Sequence, residues 1–335
     1  MSRFFVTGAQ GFVGRFVVAE LLRTGQSSVM GIGRSPEASG QFTHSVTREN
    51  KSVPAPLPKE MPPDLFNSSN YSYRSIDLQN QAELKRAITE FQPDFIIHLA
   101  SGLFGDSVEK LFRCNVEGTA NLLRAIPNNG GVARIVIGSS GGVYGNSVRL
   151  PLCESDCARP IHMYSVSKLA AEMVARVVAL ERNLPLVVAR IFNIVGPGQD
   201  ERHACGRWMQ QLVSHRDAGR FALRVGSLVP TRDFVDVRDT ASACIRLSYE
   251  GVTGEIYNVA SGVETRMRDV LEACIDAAGM AGKIDIEETL DRPVDIPRHF
   301  ADVRKIKTLG WQPKYGVAES LLDLAQYYRC DVGGL

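Results

Sequence analysis

The chain has 335 residues, of which 44% are hydrophobic and 22% charged, and its formal net charge is +1. These values are typical of a globular protein, and the small net charge excludes the basic footprint of a nucleic-acid-binding protein. No apolar run in the sequence reaches the ~18–20 residues that span a bilayer. No apolar leader opens the chain and the seven cysteines are scattered, so we expect a cytoplasmic protein with free thiols and no metal-binding residues.

Strands and helices alternate through the first two-thirds of the chain, as in the βαβ units of a parallel sheet. Runs rich in Val, Ile and Phe predict strands at Arg3–Val6, Ser28–Ile32, Tyr73–Ile76, Phe95–Leu99, Arg134–Ile137, Leu186–Ile191 and Ile256–Val259. Helices are predicted at Phe12–Arg23, Asn80–Phe91, Val108–Ala125 and Ser165–Arg182. The order predicts an α/β fold with a doubly wound parallel sheet.

The first turn of this alternation carries the most specific motif. Residues 5–14 lead from an apolar strand through Gly8, Gly11 and Gly14 into an amphipathic helix. Glycines at this spacing permit a tight turn and a close approach of the backbone to a diphosphate, while N–H groups at the helix start face the phosphates. We therefore predict a dinucleotide-binding Rossmann fold, with cofactor contacts from this turn at Gly8, Gln10, Gly11, Phe12, Val13 and Gly14.

The segment from Ser35 to Ser72 interrupts the alternation, because it is rich in Pro, Ser, Asn and Thr. It predicts a long surface loop. The pattern also loosens beyond Asn193, which suggests a second, smaller lobe over the carboxyl edge of the sheet. We predict a dinucleotide-binding domain at 1–193, with returning segments near 236–260, and a substrate-binding lobe at 194–235 and 261–330.

Tyr164 and Lys168 open a predicted helix one turn apart, so their Cβ atoms should be roughly 5–6 Å from each other. An ammonium close to a phenol favours the phenolate, and the pair is therefore expected to lower the pKa of Tyr164 and tune it as a proton donor to a carbonyl. The spacing alone arises by chance in many helices. Ser140, however, ends the preceding buried strand, where its hydroxyl could bind the same substrate oxygen.

Several motifs together resemble the extended short-chain dehydrogenase/reductase superfamily of nucleotide-sugar enzymes. They are the glycine turn, His98-Leu-Ala100, Asn115, Ser139-Ser140…Val143-Tyr-Gly145, Tyr164…Lys168 and Arg190…Asn193. The resemblance implies that Ser140, Tyr164 and Lys168 are catalytic and that Lys168 also holds the nicotinamide ribose. It further implies cofactor contacts at Asp77, Leu78, Leu99, Ala100, Ser101, Asn115, Tyr164, Lys168 and Ile191.

Within this superfamily the later motifs look most like the GDP-4-keto-6-deoxymannose reductases. They are Ile191 to Gln199, Val225 to Leu228, Arg232 to Asp239, Tyr257-Asn-Val, Asp291-Arg-Pro and Leu309 to Pro313. This resemblance implies substrate contacts at Ser140, Asn193, Val225, Arg232 and Arg292. An arginine at such positions suits a nucleotide diphosphate, because its fork of donors binds anionic oxygens in pairs.

Two departures from the family pattern bear on the reaction. Related dehydratases carry an acid pair directly after the catalytic hydroxyl, whereas Gly141 and Gly142 stand there in this chain. Without a carboxylate to protonate a leaving hydroxyl, dehydration is not expected. In addition, Ser227 replaces the usual Asn of the Val-Gly-Asn-Leu motif, which loosens the assignment of guanine as the base.

Charge at the end of the second strand favours NADPH, with NADH as the alternative. NAD-binding proteins place Asp or Glu there to accept from the ribose 2′-OH. Here the strand runs into Arg34, which could pair with a 2′-phosphate.

Three functions remain open at this point. The leading one is reduction of a nucleotide-linked 4-keto-6-deoxy sugar, and the second is a nucleotide-sugar 4-epimerase that keeps NAD bound. The third is a catalytically silent scaffold, disfavoured because Tyr164 and Lys168 are both present. The wide apolar face of the helix after Tyr164 predicts a homodimer built through that helix, as the resemblance also implies.

Overall fold

The structure is a computed structural model that describes residues 1–37, 40–48, 51–128, 131–216, 219–289 and 296–329. Its strands are β1 (Ser2–Thr7), β2 (Ser27–Gly33), β3 (Gln41–Arg48), β4 (Lys51–Pro56), β5 (Tyr71–Ser75), β6 (Phe95–His98), β7 (Arg134–Ser140), β8 (Leu186–Ile191), β9 (Asn193–Val195), β10 (Phe221–Val225), β11 (Thr231–Arg232), β12 (Phe234–Asp236), β13 (Ile256–Val259), β14 (Thr265–Arg266), β15 (Ile284–Glu288) and β16 (Arg298–His299).

The α-helices are α1 (Phe12–Arg23), α2 (Gln81–Phe91), α3 (Val108–Leu111), α4 (Gly118–Ala125), α5 (Met163–Arg182), α6 (Ala204–Ser214), α7 (Val237–Glu250), α8 (Met267–Ala278), α9 (Arg304–Lys307) and α10 (Val317–Arg329). A π-helical segment, Phe112–Glu117, joins α3 to α4, so the predicted helix at 108–125 is one helical run with a wide turn in its middle. Short 3-10 helices lie at Pro63–Asn67 and Gly141–Tyr144. In the described part of the chain, no helix is both long and apolar enough to cross a membrane.

The seven predicted strands form one parallel sheet, in the order β13-β8-β7-β6-β1-β2-β5. Helices α1 and α7 contribute to the core on one face, and α2, α4 and α5 to the core on the other. Strands covered on both faces are apolar throughout, and every residue of β8 is accordingly buried. The α/β doubly wound fold is thus confirmed. The strand order reverses between β1 and β6, because β2 and β5 follow β1 on one side while β6, β7, β8 and β13 follow on the other. Such folds form a ligand crevice at the point of reversal.

The predicted surface loop at Ser35–Ser72 is wrong. Strands β3 and β4 form an antiparallel hairpin within it. The buried side chains of the described part of this segment include Phe42, Val46, Ala55, Met61 and Phe66. The ring of Phe42 lies 6.2 Å from that of Phe12 and 6.5 Å from that of Phe16. The hairpin forms because the packing of Phe42 on α1 offsets the hydrogen bonds that its prolines cannot donate. This contact joins distant parts of the chain, so the composition of the segment does not reveal it.

The later half of the chain forms small sheets near the carboxyl edge of the large one. They comprise β10 with β15, β11 between β14 and β16, and β9 with β12. The β9–β12 pair places Asn193 opposite Phe234 and follows directly from the end of β8. This connection brings the second half of the molecule over the sheet edge that carries the candidate site.

Candidate active site

An open cleft of about 1290 Å³ runs along the carboxyl edge of the sheet. Pockets for one small ligand usually measure about 300–1,000 Å³, so this cleft has room for more than one. Of the predicted contacts, it is lined by Gly8, Gln10, Gly11, Phe12, Val13, Gly14, Arg34, Asp77, Leu78, Leu99, Ala100, Ser101, Ser140, Tyr164, Lys168, Ile191, Asn193, Val225 and Arg232. Arg292 lies outside the described residues.

The glycine turn has the geometry that a diphosphate requires. Gly8 has a φ of +69°, and a Cβ there would lie 2.8 Å from the backbone nitrogen of Ala100. A Cβ on Gly14 would lie 2.0 Å from the carbonyl oxygen of Gly8, so neither position accepts a side chain. Gly11 is the N-cap of α1 and offers no side chain to its N–H groups. These donors are therefore available to an anion in the cleft, and the turn fits a dinucleotide.

An acidic residue that the sequence did not single out, Glu37, lies near the predicted adenosine end of the cofactor site. Arg34, just after β2, is exposed and lines the cleft. Glu37 follows three residues later, accepts a hydrogen bond of 2.9 Å from the Gln10 amide, and lies 4.0 Å from a nitrogen of Arg15. Its carboxylate is thus held by the glycine turn and the first turn of α1, whereas Arg34 faces the cleft.

The three predicted catalytic side chains come from adjacent elements. Ser140 ends β7, while Tyr164 and Lys168 lie in the first turns of α5, which begins at Met163. The phenol of Tyr164 lies close to the side chains of Ser140 and Ser101, which act to lower its pKa. The Lys168 Nζ donates a hydrogen bond of 2.7 Å to the carbonyl oxygen of Gly138. The three hydroxyls therefore lie close together in the cleft, and Lys168 also lines it.

The pKa of Tyr164 differs from the sequence-based expectation. Burial raises it to about 12, although the Ser101 and Ser140 side chains act in the opposite direction. The expected net lowering is wrong here, because the effect of burial outweighs that of the neighbouring groups. A phenol with this pKa stays protonated near neutral pH, which is the state that a proton donor needs.

Asn115 is placed behind the cleft rather than in its wall. It lies in the π-helical segment and is 2% exposed. Its side-chain oxygen accepts from the backbone of Gly102 at 2.7 Å and from Ser101 at 3.0 Å, while its nitrogen donates to Ser167 at 2.9 Å. Ser167 in turn donates to the Tyr164 carbonyl. Asn115 thus fixes the two elements that position the phenol, and the wide turn aims its side chain inward.

Gly141 and Gly142 leave no space for larger side chains. A Cβ on Gly141 would lie 2.8 Å from the Phe192 ring, and one on Gly142 would lie 2.6 Å from the Ser165 hydroxyl oxygen. The Phe192 ring is itself fixed against that of His299, with 4.9 Å between their centroids. An acid pair at these positions would therefore require the surrounding structure to move.

Comparison with known proteins agrees with this geometry. The family model described as GDP-mannose 4,6 dehydratase matches residues 5–324. The chain belongs to this family. It is therefore an extended short-chain dehydrogenase/reductase and an enzyme of nucleotide-sugar metabolism.

Individual relatives of this family member differ in their reactions. GDP-6-deoxy-D-mannose reductase from Pseudomonas aeruginosa is 34% identical over 249 residues, which cover 68% of this chain and 78% of that protein. UDP-glucose 4-epimerase from Mycolicibacterium smegmatis is 28% identical over 98% of both chains. The structure of RMD from Pseudomonas aeruginosa complexed with NADPH has a TM-score of 0.77 and 26% identity, and covers 98% of this chain and 99% of its own.

The far end of the cleft in this dehydrogenase/reductase is basic. The Asn193 amide donates to the Asp233 carbonyl at 3.0 Å, and Arg232 donates to the Ile296 carbonyl at 2.7 Å. Arg207 and Arg224 line the same cleft.

Sequence reasoning missed two other groups of lining residues. One is His203 and its neighbour Arg202 at the start of α6, and the other is Thr43 and His44 from the hairpin. They carry no motif, and only the tertiary fold brings them to the cleft.

Proposed function

We propose that this enzyme uses NADPH to reduce the C4 keto group of a nucleotide-linked 4-keto-6-deoxy sugar, with a GDP-linked sugar as its substrate. The observation that carries the proposal is the convergence of the Tyr164 and Ser140 hydroxyls in the cleft, beside Lys168. The reductase relative at 34% identity and the NADPH complex of the structural neighbour support the choice of reaction and coenzyme.

In this mechanism each side chain has one task. The coenzyme, when bound along the glycine turn, supplies the hydride. Ser140 donates a hydrogen bond to the keto oxygen and orients it, and Tyr164 delivers its phenolic proton to that oxygen as negative charge develops. Lys168 contributes a buried positive charge that stabilises the resulting phenolate.

The two halves of the cleft divide the binding. Residues 1–193 and the segments near 236–260 would hold the coenzyme, and residues 194–235 and 261–330 the sugar nucleotide. Asn193, Val225 and Arg232 are the proposed substrate contacts that line the cleft. We also propose a homodimer built through α5.

Dehydration is disfavoured by the same geometry. Elimination of water needs an acid next to the catalytic hydroxyl, and side chains at 141 and 142 would collide with Phe192 and Ser165. A 4-epimerase is the second candidate, because an epimerase relative matches 98% of the chain. An epimerase returns its hydride and consumes no added coenzyme, so the stoichiometry of NADPH oxidation separates the two.

The direct test follows NADPH absorbance against GDP-, dTDP-, CDP- and UDP-linked 4-keto-6-deoxy sugars. Tyr164→Phe should lower kcat by roughly 10²–10⁴-fold with little change in KM, because it removes the proton donor and keeps the ring. Tyr315→Phe, outside the cleft, is the matched control and should keep its activity. Turnover of Tyr164→Phe near that of the wild type would exclude this role for the phenol.

A further inference from the structure

Glu172 is a buried carboxylate to which the proposed reaction gives no part. It is 2% exposed and lies on α5, one turn beyond Lys168 and two turns beyond Tyr164. Residues four apart on a helix lie above one another, so the three side chains follow one side of α5. A carboxylate withdrawn from water is costly unless other groups compensate for its charge.

The compensating groups fix the carboxylate from the sheet side. The Arg190 guanidinium on β8 donates to both carboxylate oxygens, at 3.1 Å from Nε and 2.8 Å from Nη2. The Ser139 hydroxyl on β7 donates to one of the same oxygens. Arg190 is held in turn over the ring of Tyr144, 4.7 Å from its centroid. The carboxylate therefore cannot change its orientation without disturbing two strands and the helix.

On its other side Glu172 meets Lys168 across a small polar cavity. This cavity has a volume of about 10 Å³, which is about the minimum needed to hold one water molecule, and both side chains line it. His98 and Asn115 also line it, and Cys114 lies near the ammonium. Burial lowers the pKa of His98 to about 3 and raises that of the Cys114 thiol, so both stay neutral near pH 7. Among the described residues, Glu172 is thus the anionic group beside Lys168.

We propose that Glu172 is a positioning residue, which keeps Lys168 protonated and directed into the cleft. The proposal deepens the proposed function and rests on it for its catalytic consequence. The ammonium needs such support because it is only 7% exposed. Burial lowers its pKa to about 8, and the charge of Glu172 acts in the opposite direction.

The decisive measurement is the titration of Lys168 in the free protein. Acetic anhydride acylates only neutral amines, so the labelling of Lys168 against pH, scored by mass spectrometry with exposed Lys85 as internal reference, reports its pKa. Glu172→Gln should lower the midpoint by about one unit, because it removes an opposite charge close to the ammonium. The alkaline limb of kcat should move to lower pH by the same amount.

Two further variants separate charge from packing. Ser139→Ala removes a hydrogen bond to the same carboxylate but keeps its charge, and should leave the midpoint of Lys168 in place. If Glu172→Gln does not fold because Arg190 loses its counter-charge, the double variant Glu172→Gln/Arg190→Met removes both charges. It should show a smaller shift in the same downward direction, because Arg190 also repels the ammonium but does not line the cavity that Glu172 and Lys168 share. An unshifted midpoint in a folded variant without the carboxylate would overturn the proposal. Labelling needs neither coenzyme nor sugar, so this result is independent of whether the proposed reduction is observed.

Discussion

We propose that Arg34 selects NADPH over NADH, because Glu37 is already engaged by Gln10 and Arg15. A charge-assisted hydrogen bond to a 2′-phosphate contributes about 1.5–3 kcal/mol. Arg34→Ala should therefore raise the KM for NADPH by roughly 10- to 100-fold and leave that for NADH almost unchanged. Initial rates with both coenzymes test this.

The control for this experiment is Arg74→Ala. This substitution removes the same charge, but Arg74 pairs with Glu90 at 2.6 Å and does not line the cleft. Its removal should change neither KM. An equal loss with both coenzymes in Arg34→Ala would contradict selection of the 2′-phosphate by this side chain.

Individual side chains also show which features of the candidate site can be predicted from the sequence. The sequence placed Ser140, Tyr164 and Lys168 by strand ends and helix periodicity, and all three line the cleft. Their catalytic roles stay a prediction. The direction of the Tyr164 pKa was predicted wrongly, because desolvation depends on everything packed around the phenol. The engagement of Glu37 likewise depends on Gln10 in the glycine turn, which a charge pattern along β2 does not reveal.

The β3–β4 hairpin connects the glycine turn with the rest of the cleft. The Thr43 backbone donates to the Gln10 carbonyl at 3.1 Å, and the His44 ring contacts the Gly198 carbonyl at 2.8 Å. Phe42 lies between these points and is 3% exposed. This segment is thus a structural wall of the cleft.

Phe42→Ala tests that role. Truncation of a buried Phe costs about 3–5 kcal/mol, so the free energy of unfolding in urea should fall by this order. The KM for the coenzyme should rise as well, because Phe42 packs on Phe12 at the start of α1. Val148→Ala, at a fully exposed position, should change stability by less than about 0.5 kcal/mol. If the segment were a loose surface loop, Phe42→Ala would lower the free energy of unfolding as little as Val148→Ala does.

Across the whole chain, prediction succeeded where local and global signals agree. All seven sheet strands and the helices between them were found, because buried parallel strands and amphipathic helices have strong periodicity. The hairpin was missed because its prolines and polar residues suggest a loop, while its anchor, Phe42, packs against α1. The later small strands, such as β11 and β14, are two residues long and have no periodicity to detect.

The exposed face of α5 makes assembly the property of the whole molecule that is easiest to test. Met173, Val177 and Leu180 follow one another at helical spacing and are 62%, 56% and 86% exposed. We propose that this apolar stripe is the dimer interface, with the same stripe of a second copy packed against it about a two-fold axis.

Light scattering at micromolar concentration should accordingly give twice the chain mass. Val177→Glu should give a monomer, since it would bury like charges opposite each other at the two-fold axis. Val148→Glu introduces the same charge at an exposed apolar site elsewhere and should remain dimeric. A wild-type monomer, or a Val177→Glu variant that keeps the dimer mass, would rule out α5 as the interface. Because Tyr164 and Lys168 lie on the same helix, we also expect the Val177→Glu monomer to show a lower kcat than the Val148→Glu control.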